Sequence, residues 1–78
     1  MAASTDAARE LIDLVADVMD DALVGAESEA GIRAAHSSGL TLLNAYSRMN
    51  PQQSFAVQQA YRYLNLRTSA AIDGWEFP

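Results

Sequence analysis

The sequence predicts an all-α fold: a small three-helix chain, made of a helical hairpin plus a third helix and completed by self-association. Apolar residues recur at steps of three and four along most of the chain, which is the period of one helix face. Alanine supplies much of the apolar half of the composition, and alanine favours helix over strand. Glycine or proline interrupts the pattern in three places, so we expect a single helical domain, 1–78, with short loops.

Helix 1 is predicted at about 5–24. Ser4, Thr5 and Asp6 are all suitable N-cap residues. Gly25 stands where a helix-ending glycine is expected. The apolar face between these signals consists of Ala8, Leu11, Ile12, Val15, Val18, Met19, Ala22 and Leu23.

Helix 2 is predicted at about 28–49. Ser28 can cap its start, and Glu29 favours the positive end of the helix dipole. Its apolar stripe consists of Ile32, Ala35, Gly39, Leu42, Leu43, Tyr46 and Met49. Because Gly39 lies on this stripe, the pattern predicts a close backbone approach there. The run 37–39 is alternatively a break in the helix, although one continuous helix is favoured.

Helix 3 is predicted at about 51–73. Proline disfavours helix at the preceding residue, which frees Asn50 to act as N-cap. Pro51 suits the first helical position, and Gln53 is placed to bond back to the Asn50 amide as in a capping box. The apolar stripe that follows consists of Val57, Ala60, Tyr61, Leu64, Thr68, Ala71 and Ile72.

Apolar residues also fall outside this stripe of helix 3. Phe55 and Leu66 lie on the opposite face, and a helix that is apolar on two faces is buried between neighbours or presents one face to a partner. Tyr61 and Tyr63 flank Arg62, a mixture favoured at protein interfaces. The same mixture fits a core with a solvated face, or a stacking surface for single-stranded nucleic acid.

The aromatic tail, 74–78, carries Trp75 and Phe77 beyond the third helix. Two large aromatic side chains are not expected to stay in water. We therefore expect the tail to fold back over its own bundle or to fill a groove on a neighbouring chain. Both residues are predicted interface residues.

An acidic face runs along helix 1. It consists of Asp13, Asp17, Asp20 and Asp21, with Glu10 beside them, at spacings of three and four. Three interpretations are open: a solvated face that keeps the protein in solution, a docking surface for a basic partner, and a metal-binding face. A di-metal carboxylate bundle would require Glu-x-x-His pairs on facing helices, and the sequence contains none.

The single histidine, His36, lies on the flank of the helix 2 stripe. Histidine titrates near neutral pH, so His36 is a candidate pH-sensitive residue, or else an ordinary partly buried histidine. One histidine without any cysteine cannot supply a typical zinc site. We expect no metal and no other cofactor.

Composition and motifs restrict the function. A net charge of −5, with no lysine, argues against binding to nucleic acid or to anionic membranes. No apolar run approaches the length of a membrane span, and no secretory signal precedes helix 1, so we expect no stable membrane insertion and a cytoplasmic location. A nucleophile elbow and a phosphate-binding loop are both missing, so we expect no enzymatic activity.

The size of the chain indicates what it does instead. Seventy-eight residues yield a thin core, and natural chains of this size are usually stabilised by disulfides, a metal or a partner. With the first two excluded, the expected function is that of a self-assembling structural protein whose partner is itself. The alternative is an acidic adaptor or regulatory module that binds a basic protein through helix 1.

The middle of the chain also resembles a known family, the killing-trait family, whose members are the small Reb subunits of bacterial R-bodies. The matching residues follow one another in similar order: Val24-Gly25, Ala35-His36-Ser37-Ser38-Gly39-Leu40, Asn44-Ala45, Gln52-Gln53 and Gln59-Ala60. Asn50-Pro51 and the aromatic tail differ from the family pattern.

The resemblance implies a specific role as a structural subunit. R-body subunits polymerise into coiled ribbons that extend on acidification and disrupt the membranes of a predator or host. In such a polymer, stacked copies would crowd Asp13, Asp17 and Asp20 together. Crowded carboxylates take up protons more readily as the pH falls. The resulting change in repulsion would switch the packed lattice between two states.

Overall fold

Three helices form an up-down-up bundle in the computed structural model, which describes the backbone of residues 2–74 and the side chains of residues 6–74. Helix α1 spans Ala2–Val24, α2 spans Glu29–Met49 and α3 spans Ser54–Gly74. One 3-10 turn, Pro51–Gln53, precedes α3. Each helix packs against both of the others, and the bundle measures 46 × 20 × 15 Å. The all-α class is therefore confirmed.

Helix α2 begins and ends at residues with specific hydrogen bonds. The Ser28 hydroxyl accepts a hydrogen bond from the Gly31 amide at 3.3 Å, so Ser28 is the N-cap. At the other end, the backbone amide and the side-chain amide of Asn50 both donate to the Tyr46 carbonyl, at 2.9 and 3.0 Å. Asn50 therefore satisfies a free carbonyl at the end of α2.

Asn50 occupies the predicted N-cap position before helix 3, but its side chain does not form the expected cap. Its side chain makes no capping hydrogen bond to the following turn, because the amide already bonds to Tyr46. Pro51 does occupy the first position of the turn, and the Gln53 amide donates to the Asn50 carbonyl at 2.9 Å. Helix 3 thus starts as a 3-10 turn and becomes α-helical at Ser54.

The core is a narrow column of aliphatic side chains between the three helices. The largest fully buried ones are Val15, Met19, Ile32, Leu43 and Leu64. Four alanines fill the spaces between them: Ala8, Ala35, Ala56 and Ala60. Each large side chain contributes about 1.5–3 kcal/mol on burial. So few large side chains make a thin core for three helices.

Helix α2 continues without a break through Gly39, which is buried. A Cβ atom at Gly39 would lie 2.6 Å from Cδ1 of Leu64, closer than real side chains approach one another. The predicted close approach is therefore present, and it lies between α2 and α3. Glycine at this position lets the fully buried Leu64 side chain rest on the α2 backbone.

Candidate interaction surface

The outer face of α3 presents two large apolar side chains to solvent. Phe55 is 56% exposed and Leu66 is 66% exposed. The exposed Arg62 lies between them on the same side of the helix. The buried side of α3, which includes Val57 and Leu64, faces the core. Two of the predicted interface residues, Phe55 and Leu66, thus share one face that no other described residue covers.

Tyr61 and Tyr63 lie instead on the two flanks of α3, partly buried and packed against the core. The Tyr61 hydroxyl donates a hydrogen bond to Oδ1 of Asn44, which joins α3 to α2. Tyr63 lies next to Arg67 on the side of α3 that faces α1. The structure therefore separates these two tyrosines from the face formed by Phe55. The predicted interface residues Trp75 and Phe77 lie outside the described residues.

The acidic face of α1 is open to solvent over most of its length. Asp13, Asp17 and Asp21 are all exposed. Asp20 differs, because its Oδ1 accepts a hydrogen bond from Nη2 of Arg67 at 3.0 Å. This hydrogen bond raises the pKa of the Arg67 guanidinium. Asp20 thus links α1 to α3, while its three neighbours remain available to a partner.

The acidic face does not form a metal site within residues 6–74. No group of three histidine, aspartate or glutamate side chains lies close enough together there to hold a metal ion. In the same part of the chain, no helix is both long and apolar enough to cross a membrane.

His36 lies in a shallow groove of about 540 Å³ between α2 and α3. Its Nε2 lies 2.9 Å from Oδ1 of Asn65, within hydrogen-bonding distance. Arg33 also lines the groove and donates to Oε1 of Glu29 at 2.9 Å. Ile72 lines the groove as well, among polar side chains. The candidate pH-sensitive residue therefore connects two helices at an open polar surface.

Sequence reasoning missed three exposed apolar side chains. Leu14 is 45% exposed, Val24 is 89% exposed and Met49 is 80% exposed. Met49 was predicted to lie on the apolar stripe of α2, but it is the last residue of that helix and its side chain is exposed, whereas Tyr46, one turn earlier, still packs against the core. The exposure of Leu14 could have been predicted from the sequence. Leu14 lies four residues after Glu10 and three before Asp17, which places it on the acidic face of α1.

No protein-family model, curated protein or solved structure matched this chain.

Proposed function

We propose that this protein is a non-enzymatic helical subunit that associates with copies of itself through the outer face of α3. The observation that carries the proposal is the exposure of Phe55 and Leu66, 56% and 66%, on one face of one helix. A single exposed apolar side chain is ordinary on a protein surface. Two large ones on the same helix face give that face apolar surface that a partner chain can bury.

The spacing of the two side chains suits a helical partner. Phe55 and Leu66 are eleven residues apart, so they lie about three turns, or roughly 16 Å, from each other along α3. A partner helix of ordinary length would cover both. Burial of each side chain contributes up to about 1.5–3 kcal/mol. This contribution is large relative to the core formed by residues 6–74, in which five large side chains are fully buried.

The size of the protein in solution tests the proposal. Multi-angle light scattering across a concentration series is expected to give a mass above the 8.4 kDa of one chain. The double variant Phe55→Gln/Leu66→Gln is expected to shift the mass towards the monomer, since glutamine keeps the helix and removes the apolar surface. Met49→Gln is the control, because it removes an even more exposed apolar side chain that lies outside α3. A monomeric wild type, or a double variant that assembles normally, would contradict the proposal.

An R-body-like polymer is the finer form of this proposal, supported by the resemblance in the middle of the chain. Electron micrographs at neutral pH and near pH 5 test it directly. Coiled ribbons that extend at the lower pH are the expected result, and Asp13→Asn/Asp17→Asn/Asp20→Asn is expected to abolish the pH response. Small closed oligomers at both pH values would exclude a ribbon and leave self-association standing.

A second candidate function is that of an adaptor for a basic protein, and the exposed carboxylates of Asp13, Asp17 and Asp21 favour it. Exposed charges attract a basic partner less strongly as salt is added. An arginine-rich helical peptide is expected to bind the monomer with an affinity that falls between 50 and 300 mM salt. Replacement of the three aspartates with asparagine is expected to remove the binding, and binding that survives the replacement would exclude this function.

A further inference from the structure

Two exposed stripes, one on α1 and one on α3, have matching patterns. The α1 stripe consists of Glu10, Leu14, Asp17, Asp21 and Val24, at alternating spacings of four and three. The α3 stripe consists of Phe55, Gln59, Arg62, Leu66 and Ser69, at the same alternating spacings. Every member is exposed except Gln59, which is partly buried. Each stripe therefore has two apolar side chains about three turns apart, with charge between them.

We infer that the α1 stripe of one copy packs along the α3 stripe of a second copy. This inference rests on the proposed self-association and identifies what covers the outer face of α3. Helices pack against each other along rows of residues spaced three and four apart, which both stripes provide. The contact would bury the exposed apolar side chains of both helices together.

The two stripes are in register when the helices are antiparallel. With Leu14 placed opposite Leu66, Val24 comes opposite Phe55. The two apolar residues are ten positions apart on α1 and eleven positions apart on α3, so both contacts form together. Asp17 then comes opposite Arg62. Apolar side chains meet apolar ones at both ends of the contact, and a carboxylate meets a guanidinium between them.

A parallel arrangement also brings apolar side chains opposite apolar ones, but a different carboxylate then faces Arg62. Leu14 then lies opposite Phe55, and Val24 lies opposite Leu66. Asp21 replaces Asp17 as the partner of Arg62. The identity of the aspartate that pairs with Arg62 therefore reports the direction of the contact.

The distribution of charge also favours contact between these surfaces. Ala2–Val24 contains six carboxylates and one arginine, which gives α1 a formal charge of −5. Glu29–Met49 and Ser54–Gly74 each contain two arginines and one carboxylate, which gives α2 and α3 a formal charge of +1 each. Two copies related by an α1-to-α1 contact would repel each other. An α1-to-α3 contact places opposite charges together.

The α1 stripe is exposed and lies beside the edge of α1 that contacts α3 of its own subunit. Asp20 marks the side of α1 that contacts α3, through Arg67. Leu14 and Asp21 lie about 120° and 100° around the helix from Asp20, whereas Asp17 and Val24 lie about 60° and 40° from it. One copy can therefore offer its α1 stripe to one neighbour and its α3 stripe to another. A contact between two different surfaces of this kind generates a ring or an open-ended chain.

Two blocked variants test the contact. Leu14→Glu/Val24→Glu blocks the α1 stripe, and Phe55→Glu/Leu66→Glu blocks the α3 stripe. Each variant alone is expected to be a monomer of 8.4 kDa by light scattering. Their equimolar mixture retains one intact stripe of each kind, so it is expected to form 1:1 dimers of twice that mass and nothing larger. Met49→Glu, outside both stripes, is the control and is expected to assemble like the wild type, while circular dichroism confirms that each variant is folded.

Three other outcomes would overturn the inference, and they show whether the α1-to-α3 contact alone or self-association as a whole is wrong. If both variants are monomers and their mixture stays monomeric, α1 and α3 do not bind each other, but self-association stands. If the α1 variant assembles like the wild type, the α1 stripe is not used, and again self-association stands. If the wild type itself is a monomer at every concentration, the inference fails together with the proposed function.

A charge exchange tests the register. Arg62→Glu is expected to raise the concentration needed for assembly at least tenfold. A second substitution in the same chain is expected to restore assembly: Asp17→Arg for antiparallel stripes, or Asp21→Arg for parallel ones. If neither second substitution restores assembly, or if the Arg62→Glu chain assembles normally, the charged contact is wrong.

Discussion

At Gly39, the absence of a single methyl group sets how closely α2 approaches α3. The position of a Cβ atom there lies 2.6 Å from Cδ1 of Leu64 and 3.1 Å from Cδ2. Glycine inside a helix costs about 1 kcal/mol relative to alanine. Leu64 is fully buried, so a methyl group at position 39 would press against a side chain that cannot swing into solvent.

Gly39→Ala is therefore expected to lower the free energy of unfolding by about 1 kcal/mol. The gain in helix propensity, about 1 kcal/mol, is outweighed by overpacking, which costs about 1–3 kcal/mol. Chemical denaturation followed by circular dichroism measures the change. Gly25→Ala is the control, because the space around Gly25 is open. Stabilisation by Gly39→Ala would mean that Leu64 has room to move.

The ion pair between Asp20 and Arg67 is expected to contribute about 0–1 kcal/mol, as exposed pairs do. The pKa of Arg67 is raised in the folded protein, so its contribution is present below the unfolded pKa and is lost only as the pH rises through the folded value, in strong alkali. The stability difference between the wild type and Arg67→Gln is therefore expected to be the same at pH 6 and pH 9. Urea titrations at the two pH values measure it. A difference that changes between them would show that a group other than Arg67 titrates with the pair.

At the scale of the helices, α2 allows two serine substitutions with opposite expected effects. Ser28 caps the helix by accepting from the Gly31 amide, so Ser28→Ala is expected to cost about 1 kcal/mol. Ser38 lies within the helix and its hydroxyl donates to the Ala34 carbonyl, so Ser38→Ala is expected to be neutral or slightly stabilising. Thermal melts of the two variants compare them directly. Equal losses would show that the Ser28 hydroxyl does not act as a cap.

The helices were largely predictable because their signals are local. Periodic apolar residues, a capping serine and a proline place each boundary within a few residues, and the structure confirms all three helices. The predicted N-cap residues of helix 1, Ser4, Thr5 and Asp6, are wrong, because α1 already begins at Ala2 and includes them. The missing side-chain cap at Asn50 has a physical reason. The same side chain is equally able to bond forward to the next turn or backward to a free carbonyl, and only the geometry of the turn decides between Tyr46 and Gln53.

At the scale of the whole molecule, association is expected to raise thermal stability. Any partner that binds only the folded chain stabilises it in proportion to the logarithm of its concentration. The melting temperature of the wild type is therefore expected to rise with protein concentration, whereas that of Phe55→Gln/Leu66→Gln is expected to stay constant. Differential scanning calorimetry over a hundredfold concentration range measures both. A constant value for the wild type would mean that unfolding is not linked to association.

Sequence reasoning found only part of the candidate surface. Phe55 and Leu66 were identified because a helical projection places them opposite the core. The bonds of Asp20 to Arg67 and of His36 to Asn65 join residues that are 47 and 29 positions apart, and no periodicity encodes which helices become neighbours. Tyr61 and Tyr63 were predicted as interface residues from their residue type, and the bundle places both on the flanks of α3, packed against the core.

The segregation of charge between α1 and the other two helices also makes the protein an electric dipole across its short axis. On an anion-exchange column, a monomer is expected to turn α1 towards the resin and to be retained more strongly than its net charge of −5 alone would require. In an assembly that covers α1, each chain has fewer exposed carboxylates that can bind the resin. Retention on such a column would then report how much of α1 is covered.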